Sequence, residues 1–200
     1  RKEHGAEGWQ VPSRRLLFSL ISHQYINPAL PKDHPFENVF TGYYWTSDAC
    51  SRLPGQVWYI HMGGGRVTRA NKSDSAMLLP VCPPKAPPDA SLECPFTLLG
   101  ETVEDNRTGL IWTRDAGLSP RLQSWDEALD YVKSINSQGY CGSRKWRLPN
   151  IRELDSLVDV FRHSPALPMG HPFINVQDAY WSSTTSVFES RYAWVLYFQD

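Results

Sequence analysis

Four cations close together, Arg52, Arg66, Arg69 and Lys72, are the residues of this chain best suited to chemistry. The last three follow the run Gly63-Gly64-Gly65, and Arg14-Arg15 lie upstream. A guanidinium is a planar fork of donors that fits sulfate or carboxylate, so the group could hold an anionic polysaccharide. Solvated surface charge is the competing reading of the same residues. The cysteines Cys50, Cys82, Cys94 and Cys141 admit three pairings. Cys82 and Cys94 bracket a Pro-rich stretch and could close a loop there, which would suit an oxidising compartment; four reduced, packed thiols are the alternative. No C-x-x-C pair occurs, and His34 and His171 sit in matching His-Pro-Phe triplets without a second ligand at metal spacing. No Ser/His/Asp arrangement, phosphate loop or carboxylate pair stands out. The expectation is therefore no metal, no cofactor and no enzyme. Asn71-Lys72-Ser73 and Asn106-Arg107-Thr108 spell glycosylation sequons, which matter only on a eukaryotic secretory route.

The elements that must position these residues are written twice. Trp9-Gln10-Val11-Pro12 returns at an offset of 137 as Trp146-Arg147-Leu148-Pro149, and Leu17 and Leu20 fall on Leu154 and Leu157. Pro28-Ala29-Leu30-Pro31 meets Pro165-Ala166-Leu167-Pro168, and His34-Pro35-Phe36 meets His171-Pro172-Phe173. After a one-residue slip, Tyr44-Trp45-Thr46-Ser47 meets Tyr180-Trp181-Ser182-Ser183 and Trp58 meets Trp194. A period this long is domain-sized, so the repeat marks a duplicated globular module rather than a solenoid. The copies are cut out of phase. Residues 1–82 read as a front-truncated module, 83–94 as a Pro-rich linker and 95–200 as a module without its final strand. Together with the Arg1 start, this points to a fragment of a longer polypeptide.

Within the second copy, turn formers from Asp105 to Gly109 between apolar runs predict strand, turn, strand. Ser124-Trp125-Asp126-Glu127 has the form of a capping box, Ala128, Leu129, Val132 and Ile135 recur at helical spacing, and Gly139 ends the helix. Asn150 should cap a second helix with Glu153 returning the bond and with Leu154, Leu157, Val158 and Phe161 as its buried stripe. Its counterpart in the first copy should start at Ser13 and bury Leu16, Leu17, Leu20 and Ile21. Prolines 165, 168 and 172 then enforce a long excursion before the aromatic strands. Trp45, Trp58, Trp181 and Trp194 lie inside apolar runs, so core packing is the better reading than sugar stacking. Met77 to Val81 is expected to fill, in its own module or across modules, the edge that the second module leaves open by ending at Asp200. Two helices with antiparallel strands read as α+β.

Composition adds limits. A net charge of −1 demands neither nucleic acid nor membrane, although residues 1–82 hold nine Lys/Arg against six Asp/Glu while 95–200 hold ten against thirteen. That is weak support for an anionic ligand on the first module. No apolar run approaches the roughly 18 residues of a membrane helix, so insertion by this segment is not expected.

Five motifs taken together resemble the DUF1566 family, a domain also found at the C-terminus of a Legionella collagen-like adhesin. They are Asp105-x-x-Thr108-Gly109-Leu110-x-Trp112, the capped helix with Glu127-Ala128-Leu129, Trp146-Arg147-Leu148-Pro149-Asn150-x-x-Glu153-Leu154, Pro172-Phe173 and Tyr180-Trp181-Ser182-Ser183. The resemblance covers 95–200 well and 8–82 as a second copy, which departs at Gln10, Val11 and Leu16. It implies a C-type-lectin-like fold in a bacterial envelope or secreted protein, with sulfated glycosaminoglycans bound by the adhesin member. The implied partner is a glycan or a protein. Calcium-binding lectins of that fold carry Glu-Pro-Asn or Gln-Pro-Asp and Trp-Asn-Asp, and neither pattern occurs here. Arg147-Leu148-Pro149 is also similar to the formylglycine-generating enzymes, but the second module has no cysteine after the motif. An enzyme of that kind, or a purely structural envelope protein, is the alternative.

Overall fold

A computed structural model of the chain describes residues 8–82 and 94–199. They fall into two compact units, with the division between Leu92 and Glu93.

Unit one begins with a short helix, α1 (Arg14–Ser19), because the Ser13 hydroxyl accepts the Leu16 N–H at 3.2 Å. A long irregular excursion leads to three antiparallel strands in the order β1 (Tyr43–Ala49), β2 (Gln56–His61), β3 (Arg66–Asn71). The turn between β2 and β3 needs Gly65, whose φ is +77° and where a Cβ would collide with Ile21. Leu17, Phe18, Ile21, Ala29, Leu30, Tyr44, Ile60 and Met62 form the core. Beyond β3 the chain runs beside β1 and pairs Met77 in parallel with Tyr44, then meets Gln10 through Val81. The segment thus pairs beside β1 within its own unit, and not with the outer side of the last strand of unit two as the sequence suggested.

Unit two opens with the antiparallel meander β4 (Phe96–Leu99), β5 (Thr102–Asp105) and β6 (Leu110–Thr113). The helix α2 (Trp125–Gln138) has both bonds of the capping box at Ser124 and Glu127 and ends at Gly139 in the left-handed region. Next come a 3-10 turn at Tyr140–Gly142, α3 (Ile151–Ser156) and the pair β7 (Ala179–Thr185) with β8 (Ala193–Tyr197). Phe96, Val103, Leu157, Ala166, Leu167, Phe173 and Phe198 form its core. No described strand lies on the outer side of β8.

The duplication extends to single hydrogen bonds. The Ala29 N–H donates to the Met62 carbonyl at 2.6 Å, and Ala166 donates to Phe198 at 2.7 Å. Ser47 reaches back to the Pro12 carbonyl as Ser183 reaches to Pro149, both at 2.8 Å. Thr46 and Ser182 hydroxyls donate to the Trp58 and Trp194 carbonyls. Tyr44 and Tyr180 hydroxyls accept from the Phe40 and Gln177 backbones. Both units carry a cis proline, at Pro28 and Pro165, and a left-handed Asn, at Asn38 and Asn175. The architecture is mixed α+β, with few helices and several small antiparallel sheets.

Three burial expectations are corrected. Leu16 is exposed and Phe18 is buried in its place, because the stripe on α1 runs Leu17, Phe18, Ile21. Phe161 is 76% exposed because α3 stops at Ser156, so the helical period no longer applies there. Trp45 and Trp181 face away from the core: their strand neighbours Tyr44, Thr46 and Ser182 take the buried positions, and alternation sends the tryptophans to the other face.

Candidate anion-binding surface

The cations of unit one are arranged by β3 and the loop before β2. Arg69 stands opposite Trp58 and Arg66 opposite His61 in the β2–β3 register. Successive residues alternate faces, so two arginines three positions apart point to opposite sides of the sheet. Arg69 lies on the side of Trp58, with its guanidinium carbon 5.8 Å from the ring centroid, and Arg14 approaches the same ring at 5.5 Å. Arg14 is buried, and its backbone N–H donates to the Asp48 carboxylate at 2.6 Å. Two guanidiniums over one indole are a cation–π arrangement that stiffens both arginines. Arg66 instead shares the outer face with Tyr43, Trp45, Tyr59 and His61. Tyr43 stacks on Tyr59 at 4.1 Å, Tyr59 on Trp45 at 5.5 Å, and His61 meets Tyr43 edge-on. Burial among these rings raises the Tyr59 hydroxyl above its ordinary pKa.

Lys72 and Arg52 are exposed and belong to one end of the sheet, since the Lys72 N–H donates to the Gly55 carbonyl at 3.2 Å. Arg66 and Lys72 stand at opposite ends of β3, six positions apart, about 20 Å at the usual strand rise. The four cations expected to act together are therefore divided. Arg52 lies in the β1–β2 loop and Lys72 in the turn after β3, two segments that meet at Gly55; Arg69 lies on the Trp58 side with Arg14, and Arg66 lies at the far end and on the other face. Arg14 was visible in sequence only as a helix cation; the signal that it joins Arg69 is their common neighbour Trp58.

The anticipated Cys82–Cys94 bridge is absent, and all four cysteines are free thiols. Each end is held by its own unit. Cys82 follows the Val81 bridge to Gln10, and Cys94 packs against the core of unit two. Among the described residues no group of three or more His, Cys, Asp or Glu is placed to hold a metal ion. No helix there is long and apolar enough to cross a membrane. His34 and His171 pack beside Phe36 and Phe173, each with a buried Nδ1 that finds no partner among the described residues. Burial holds His171 below the ordinary histidine pKa.

In unit two the Trp-Arg-Leu-Pro-Asn motif has an architectural job. Arg147 donates through both terminal nitrogens to Glu153 at 2.7 Å, Glu153 accepts the Asn150 N–H at 2.8 Å, and the Asn150 side chain accepts from Glu153. One ion pair thereby closes the capping box of α3. The arginine partner pulls Glu153 below the usual carboxylate range. Gln10 and Leu16 replace these two residues in unit one, so both partners are missing together and neither charge is left alone.

The model of the Lcl C-terminal domain family matches residues 1–82 and 101–200, one match for each unit. The chain belongs to the Lcl C-terminal domain family. This is the DUF1566 family, here in tandem copies. It is a family of domains of bacterial surface proteins and is not a known enzyme family. No curated protein and no solved structure is significantly similar to the chain.

Proposed function

We propose that this Lcl C-terminal domain pair is a non-enzymatic binding element of the bacterial cell surface, extracellular or in the envelope, that recognises an anionic glycan. It consists of two C-type-lectin-like modules, residues 1–82 and 95–200, joined by the Pro-rich linker 83–94. The reading rests on one observation, that the loop carrying Arg52 and the turn carrying Lys72 meet at one end of the unit-one sheet, while Arg69 and Arg14 lie against Trp58. Arginines whose orientation is fixed by packing lose little freedom when they grip a sulfate or carboxylate. The excess of cations over carboxylates in residues 1–82 adds attraction at longer range.

Heparin is a suitable probe. Binding should weaken steeply as salt rises past about 0.15 M, where screening acts over roughly 8 Å. Arg52→Ala together with Lys72→Ala should remove most of the binding and leave the fold intact, because both side chains are exposed. Arg66→Ala, about 20 Å away along β3, should change it little. Salt-insensitive retention, or equal losses from Arg66→Ala and the double variant, would sink the assignment.

A further inference from the structure

We draw no further inference here: the strongest candidate, the aromatic outer face of the unit-one sheet at Tyr43, Trp45, Tyr59 and His61, is an unpartnered face, and nothing among the described residues shows what covers it.

Discussion

Arg147 and Glu153 give the Trp-Arg-Leu-Pro-Asn motif of unit two a structural role at the start of α3. Their ion pair is half exposed on the arginine side, so its worth is that of a charge-assisted cap rather than a buried bridge. Glu153→Gln should cost about 1 kcal/mol, read from chemical denaturation at neutral pH. Glu153 and Glu127 both titrate below their unfolded values, Glu127 at about 2 through its bond to Arg121. Their contribution is complete above about pH 4.3 and disappears as pH falls through the lowered values, so the Glu153→Gln deficit should shrink on acidification. His171 behaves alike from a different cause. Burial depresses its pKa, so the neutral ring favours folding above about pH 6.5 and that support is lost as pH drops through the depressed value. An NMR titration of the imidazole with a midpoint at or above the ordinary histidine value would contradict this.

At the scale of elements, repeated apolar spacing carried most of the information. Both capping boxes, the hairpin at Asp105 to Gly109 and the left-handed stop at Gly139 were legible because each is local chemistry. The faces of the strands were less so. Trp45 and Trp181 read as core because they sit in apolar runs, yet alternation against Tyr44, Thr46 and Ser182 turns them outward. The same period of two, applied to Arg66 and Arg69, is enough to place them on opposite faces of one strand. Sequence could not reveal the Arg14–Trp58–Arg69 layer, since it joins a helix to two strands across a long excursion. Equal burial of Leu17 and Leu154 predicts equal penalties: either change to Ala should cost about 2–5 kcal/mol by the lost contacts and the cavity left. Hydrogen exchange would locate each loss in its own unit, and a loss spread over both units would speak against separate cores.

Across the whole molecule the two copies keep the same core. Unit two wraps its excursion with the β4–β6 meander and α2, while unit one adds β3 and the return through residues 77–81. With all four cysteines free, alkylation under denaturing, non-reducing conditions should label four thiols per chain; a count of two would show one disulfide, and peptide mapping would say whether it joins Cys82 and Cys94. Among the described residues no strand pairs with the outer side of β8, and Tyr197 at its end is 62% exposed. An unguarded strand is a template on which a second chain can continue the sheet, and concentrated solutions should scatter light before dilute ones show any change of fold. Tyr197→Lys, a gatekeeper charge at the end of Ala193–Tyr197, should then raise the concentration at which scattering begins, and an unchanged onset would show that this edge is not the template.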